Sequence, residues 1–502
     1  MLRLEELRRG AFIVCASLLA AARALPVEHH HDDHGHVDHA CPYDALGPEV
    51  VVRAPQEYAS SRSPRRRLNA TDPNAGWSSL RIHVIDAVTG AGVLDAASEA
   101  FLLGTLVPSA VGWLEAALLV EPVVGTLKAA RACGALWSNG VCTLEATTAC
   151  GHAAAVPAEL LDELTVCDDF TAASCTVVAA GAGVAADFAI SITALDTTLC
   201  SSGATIAYAS ACQRDQHDRP ILGHANFCPS QLSTAASDWD EQRATAVHEL
   251  LHALGFSSDS WALFRRDDGT PYTARDANGD VVPTASYTCP GADGTVADVR
   301  VPDAETLVVS ALNGVNVGWL ATPRVTSVAR DIFDCATLVG APLENQPTST
   351  GACFGSHWEQ RLFMHELMAS TTSHTAVYSS LTLAALEDSG WYRADYAYAT
   401  ALLWGRHRGC AFVNQPCVAG GTSADEHHFC DAAYNISAGA GVGCTADHKA
   451  RGYCNLQSYS SALPAPFQYF SDPTMGSSLA TADYCPFHQS WSSGACQEPS
   501  NQ

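Results

Sequence analysis

Positive charge is scarce in this sequence. The 502-residue chain has 27 Lys and Arg against 53 Asp and Glu, a net charge of −26. A surface this acidic has no electrostatic means of holding nucleic-acid phosphates or an anionic membrane. Charged residues of both signs make up only 16%, below the roughly 25% usual for soluble domains. Ser, Thr, Asn and Gly must therefore supply much of the surface polarity. Beyond the N-terminal region no segment reads as long and apolar enough to span a bilayer, which takes about 20 residues. The C-terminus, Cys496–Gln502, lacks the hydrophobic tail of a lipid-anchor signal. No period of 20–50 residues repeats, which excludes a solenoid. Apolar residues, by contrast, reach 47%, enough for a sizeable core, and the length fits two or three packed units.

Cysteine is abundant, at 20 residues, a heavy load for a cytosolic enzyme. The N-terminus accounts for it. Arg3, Arg8 and Arg9 precede an apolar run from Ala11 to Ala22, and Ala22-Arg23-Ala24 is a small-x-small cleavage site. Residues 1–24 therefore read as a secretory signal peptide, and the product as a secreted or extracellular protein, with surface association left open. Residues 25–67 differ from the rest. Six histidines between His29 and His39 crowd together with Asp32, Asp33 and Asp38, and the stretch ends in Arg65-Arg66-Arg67. This reads as a pro-segment cut at the tribasic site; the alternative is an N-terminal arm that stays attached. The expected division of the remainder is 68–256, 257–392 and a Cys-rich 393–502. Sequons at Asn69 and Asn435 are compatible with export.

Removing Cys15 and Cys41 leaves 18 cysteines: eight in 133–228, three in 289–353 and seven in 410–496. If the eight pair among themselves, at least one bridge must join the middle segment to the last. Alternation at Leu80, Ile82 and Val84 and at Phe188, Ile190, Ile192 and Ala194 predicts strands, with a further short candidate at 204–209. Ser380–Glu387, followed by Gly390, predicts a helix.

The strongest local signal is His248-Glu249-Leu250-Leu251-His252. On the order of 0.04 such matches are expected by chance in a chain of this size and composition. Asp238, Asp240 and Glu241 stand where a helix would begin, Ala244, Val247, Leu250, Leu251 and Leu254 recur at helical spacing, and Gly255 closes the run. Residues four apart share a helix face, so His248 and His252 can aim ring nitrogens at one zinc ion. Glu249 projects about 100° away, beside the metal, where it can act as a general base. A catalytic zinc also needs a third protein ligand. Many zinc proteases place a histidine three residues after the helix-ending glycine, but here that position is Ser258. Between His252 and Met368 the only histidines are His357 and His365.

These pieces, in this order, resemble the leishmanolysin family of metzincin metalloproteases. The resemblance rests on His248–Phe256 as HExxHxxGF, then 104 residues between His252 and His357, Gly355-Ser356-His357, and Glu366-Leu367-Met368. It extends to Tyr208–Asp215, to Asn226-Phe227-Cys228-Pro229, and to Trp404-Gly405 with Gly409–Phe412. It implies an α+β fold: a metzincin-like catalytic core with a twisted mixed sheet and active-site helix, a middle subdomain and a disulfide-rich C-terminal part. It implies one catalytic Zn2+ held by His248, His252 and His357, not His365. It also implies Glu249 as catalytic base, Met368 as the methionine turn beneath the metal, and polypeptide substrates. Family members carry a His-x-Cys element in the pro-segment, and His39-Ala40-Cys41 matches it, although Pro42-Tyr43-Asp44 follows where a second histidine is usual. Cys41 is thus a candidate inhibitory zinc ligand, with an unpaired thiol as the alternative. The expected activity is secreted, zinc-dependent endoproteolysis from a pro-enzyme. The competing readings are a catalytically silent adhesion or binding protein of the same fold and a small-molecule zinc hydrolase.

Overall fold

The computed structural model describes residues 39–46, 49–58, 74–151, 154–169, 174–290, 295–345, 353–372, 375–435 and 437–495. The signal peptide, the Arg65–Arg67 site and Asn69 lie outside the described residues. The architecture is α+β, as expected.

After a two-residue strand β1 (His39–Ala40), the main sheet is built from β2 (Ile82–Asp86), β3 (Phe188–Thr193), β4 (Ala207–Arg214) and β5 (Pro220–Phe227). Their order is β4-β5-β3-β2. β3 runs parallel to both neighbours, with Phe188 opposite Ile82 and Ala189 opposite Leu222, whereas β4 is antiparallel to β5. All residues of β3 and β5 are buried. Both faces of the sheet are covered: β3 sets Phe188, Ile190 and Ile192 on one face and Ala189, Ser191 and Thr193 on the other, and β5 sets Ile221, Ala225 and Phe227 on one and Leu222, His224 and Asn226 on the other. The strand expected at 204–209 starts later, at Ala207. Thr198–Ser202 forms a 3-10 turn ended by Gly203 at φ 74, and residues 204–206 bond the N-terminal segment instead: Ala204 O accepts from Ala40 N and Ile206 N donates to His39 Nδ1, each at 2.9 Å.

Residues Ala96–Ala117 form one helix, α1, of 22 residues, with a π-helical stretch at Leu102–Leu106. It is long and apolar enough to cross a membrane, which corrects the sequence reading that no later segment is. Glycines, Pro108 and hydroxyl residues break up its apolar run and hid it. Leu102, Leu106, Ala110 and Leu114 are fully buried in the protein core, where α1 packs against the next helix, α2 (Trp239–Ala253).

α2 begins where the acidic cluster lies, with Asp240 and Glu241 in its first turn. From Ala244 to Ala253 every residue is buried, so the helix is enclosed rather than amphipathic, pressed against β4 and β5 on one side. Gly255, at φ +107, turns the chain away; a Cβ there would lie 2.7 Å from the Trp391 ring. Farther on, α3 (Pro323–Phe333) and α4 (Ser380–Asp388) pack together. The α4 helix falls where the sequence places it, and the Asp388 carboxylate at its end accepts from Arg324 N and Val325 N in the first turn of α3.

One cluster of buried apolar residues runs from Leu80 to Phe487, through all three expected segments. Among the described residues, eight disulfides reinforce it. Cys133–Cys142, Cys150–Cys212, Cys167–Cys175 and Cys200–Cys228 pair within the first group. Cys289–Cys353 stays in the middle segment, and Cys335–Cys410 makes the crossing that cysteine parity requires. Cys417–Cys485 and Cys430–Cys454 staple the last part, whose strands are all short apart from His488–Ala495.

Candidate metal centre

Three elements meet at the buried end of α2. The helix contributes His248, Glu249 and His252, one turn apart and all fully buried. The loop after residue 353 contributes His357, 2% exposed. It is anchored to the segment after α2: Ser258 N donates to Ser356 Oγ at 3.0 Å, and the two hydroxyls lie 3.1 Å apart. The position where many zinc proteases carry a ligand here holds a serine that fastens the loop bearing His357. Gly355 is required for that path, because a Cβ would fall 2.3 Å from Glu344 O.

The ring orientations fix the tautomers. His248 Nδ1 lies 2.6 Å from Leu367 O, and His252 Nδ1 lies 2.6 Å from Phe256 O. A carbonyl only accepts, so both Nδ1 atoms carry the proton and both Nε2 atoms present lone pairs. Those lone pairs converge: His252 Nε2 is 3.0 Å from His248 Nε2 and 3.2 Å from His357 Nε2. Unprotonated nitrogens facing one another in a buried pocket repel, and a cation between them removes the conflict. Tetrahedral zinc with Zn–N near 2.0–2.1 Å separates its nitrogen ligands by roughly 3.3 Å, close to the observed spacing. Burial, and then the charge of the neighbouring rings, pushes the pKa values of His248 and His252 well down. Both are therefore neutral and available as ligands.

The fourth direction is occupied by the N-terminal segment. Cys41 Sγ lies 3.4 Å from His252 Nε2 and forms, with the three histidines, a group whose ligand atoms all lie within 4.8 Å of one another. Without a cation, burial and the Glu249 charge hold the Cys41 thiol well above its usual range; a metal reverses this by binding the thiolate. His39 Nδ1 accepts from Ile206 N, so its Nε2 carries the proton and donates to Glu249 Oε1 at 2.9 Å. Tyr43 stacks on the His252 ring, with centroids 4.3 Å apart. The segment is held by β1 pairing antiparallel with Thr371–Thr372, by His39 N donating to Glu241 at 3.1 Å, and by Ala54 N and Val52 O bonding the Arg214 backbone.

Met368 is fully buried directly after Leu367, whose carbonyl orients His248. The turn is fastened by Glu366, which accepts from Met368 N at 2.5 Å, Ser379 Oγ at 2.6 Å and Thr382 Oγ1 at 2.7 Å. Through these bonds α4 braces the turn. His365 faces away, its Nδ1 3.3 Å from Thr375 Oγ1.

The structure thus brings together His248, Glu249, His252, His357 and Cys41, with Met368 next to the carbonyl that orients His248. The sequence reading missed the parts played by His39, Tyr43, Glu366 and Phe256 O. His39 carried a signal as the other half of the His-x-Cys element, and Glu366 and Phe256 stand in motifs of the resemblance that do not state these roles.

Fold and site together define a metallopeptidase. The leishmanolysin family profile matches residues 160–502. The chain is 34% identical to a leishmanolysin-like peptidase of Drosophila pseudoobscura pseudoobscura, over 96% of this chain and 73% of that protein. It is 32% identical to one of Caenorhabditis elegans, over 88% and 70%, and 29% identical to leishmanolysin of Leishmania donovani, over 60% and 43%. The chain belongs to the leishmanolysin family. Its metal-dependent peptidase activity, its α+β fold and its polypeptide substrates follow from that membership.

Proposed function

We propose that the protein is a zinc-dependent endopeptidase, secreted and made as a pro-enzyme. His248, His252 and His357 hold the metal, Glu249 is the base, and Met368 forms the apolar floor beneath them. The observation that carries this reading is the convergence of three Nε2 atoms, two of them with tautomers set by backbone carbonyls. Zinc, when bound, supplies charge stabilisation for the scissile carbonyl and acidifies a water molecule. The protein's own part is to aim and buffer. Glu249 accepts the water proton at its carboxylate and passes it to the leaving amine. The Leu367 and Phe256 carbonyls keep His248 and His252 unprotonated at Nε2.

The precursor is held inactive by two contacts two residues apart. Cys41 would supply a further ligand to the metal, and His39 ties up the carboxylate that must move the proton. Tyr43 stacks on the His252 ring. Cleavage after Arg67 would release all three. Eight disulfides support an oxidising, extracellular destination.

The reading is tested by expressing the precursor, cutting it at the tribasic site, and measuring metal content and casein cleavage before and after. Zinc in both forms, with proteolysis only after the cut, is the expected result. Zinc with no proteolysis in either form would instead support the silent binding protein.

A further inference from the structure

A second built site lies outside the metal centre, around Glu49. Its carboxylate is gripped at two points by Arg214, Oε1 from Nε at 2.8 Å and Oε2 from Nη2 at 2.7 Å. The two side chains are only 6% and 0% exposed. Arg300 Nη1 donates to the Glu49 carbonyl at 3.1 Å, and the Glu49 amide donates to the Asp259 carboxylate. One residue is therefore recognised at its side chain, its carbonyl and its amide. This is how a protein reads an acidic residue within a peptide, as opposed to a free anion.

The location matters as much as the contacts. Arg214 ends β4, the edge strand along which the pro-segment runs. Its guanidinium also donates to Asp218 O at 3.0 Å and to Ser260 Oγ at 2.9 Å, and lies 5.5 Å from the centre of the Trp391 ring. Asp259 and Ser260 come shortly after α2. The charges of Asp259, Glu49 and Arg214 all act on Tyr43, which stacks on His252. Ser260 Oγ lies 2.9 Å from Ser257 Oγ, and Ser257 directly follows Phe256, whose carbonyl bonds His252, so the pocket adjoins the metal centre.

Loss of the pro-segment affects this pocket differently from its neighbour. Asp218, met by Arg53, keeps Arg265 and Arg275 when Arg53 leaves. Arg214 has Glu49 as its only ion-pair partner among the described residues. With Glu49 gone, Arg214 keeps only the flanking charges of Asp218 and Asp259, and the guanidinium edge that Glu49 gripped at two points is left open for another carboxylate.

We propose that Arg214, Arg300 and Asp259 form a subsite of the mature enzyme that selects an acidic residue, Glu or Asp, in the polypeptide substrate, and that Glu49 fills it in the precursor as a substrate side chain does afterwards. This rests on the pro-enzyme reading above.

The test uses mature enzyme, cut from the full precursor, and quenched fluorogenic peptides in which one Glu is walked through a neutral sequence, with Gln as control. At one fixed separation from the scissile bond, Glu should raise kcat/KM about tenfold or more over Gln, through KM, and Arg300→Gln, which loses only the contact to the backbone carbonyl, should raise KM for the Glu and Gln peptides alike. Arg214 also braces Ser260 and Trp391, so a variant there would test folding as well. A measurement free of that problem uses wild-type enzyme inhibited by a synthetic 39–58 peptide, where Glu49→Gln should weaken inhibition about tenfold or more. Glu no better than Gln at every position overturns the proposal, and so does a Glu49 effect in the inhibitor without one in substrates. Failure to cleave any peptide would sink the peptidase reading itself, and this inference with it.

Discussion

His39 Nε2 donates to Glu249 Oε1 at 2.9 Å, with both side chains fully buried. Since His39 Nδ1 is already bonded by Ile206 N, the contact has a defined donor and acceptor. On the proposed reading, the N-terminal segment would engage the proton-transfer group, through His39, as well as the metal, through Cys41.

The two contacts can be separated. Cys41→Ser in the uncut precursor should raise basal proteolysis by weakening the fourth ligand. His39→Ala should raise it less, by about 10- to 100-fold at most, the worth of one hydrogen bond to a charged group. The double variant should exceed either. The check is peptide cleavage by precursors whose processing site has been disabled, and no rise with Cys41→Ser would contradict the switch.

Glu249→Ala in the mature enzyme should retain zinc and lose about 10²- to 10⁴-fold in kcat, since it removes proton transfer but no ligand. His357→Ala should lose the metal after dialysis. The two variants compared by elemental analysis and casein assay separate base from ligand. Zinc lost equally in both would contradict the assignment.

Much of this was legible in the sequence, for physical reasons. The α2 motif compresses two candidate ligands and the candidate base into five residues of one helix, so its spacing alone carries geometry. His357 is 105 positions from His252, and no local periodicity links them; only the resemblance picked it over His365. The α1 helix was hidden because Gly104, Pro108 and Gly112, all on its exposed face, interrupt the apolar run in the sequence. The second contacts were invisible for another reason. Leu367 O and Phe256 O act through backbone carbonyls that every residue possesses, so side-chain identity does not announce them. Cysteine parity, by contrast, forced the Cys335–Cys410 type of crossing before any fold was known.

Glu366 provides a pH prediction. Its burial pushes its pKa up to about 7, against an ordinary value of 4.5. The folded state therefore holds its proton more tightly than the unfolded state does. The associated stability is present in full below about pH 4.5 and is lost as pH rises through about 7, at most ~3 kcal/mol. Glu366→Gln should flatten the fall in Tm across that window while lowering stability overall, because its amide turns a donor towards one of the three donors now facing the carboxylate. Parallel pH profiles for the two proteins would contradict the assignment.

Cys335–Cys410 is the covalent tie between the middle and C-terminal parts. Replacing both cysteines with Ser should cost about 2–4 kcal/mol. Calorimetry on the intact protein should show a lower Tm, and an unchanged Tm would mean that the shared core suffices.

The most direct measurement is X-ray absorption at the zinc edge, on the full precursor and again after pro-segment removal. Three imidazole nitrogens and one sulfur per zinc are predicted in the precursor, with the sulfur replaced by oxygen on activation. Fewer than three imidazoles in either form, or no sulfur in the precursor, would contradict the account.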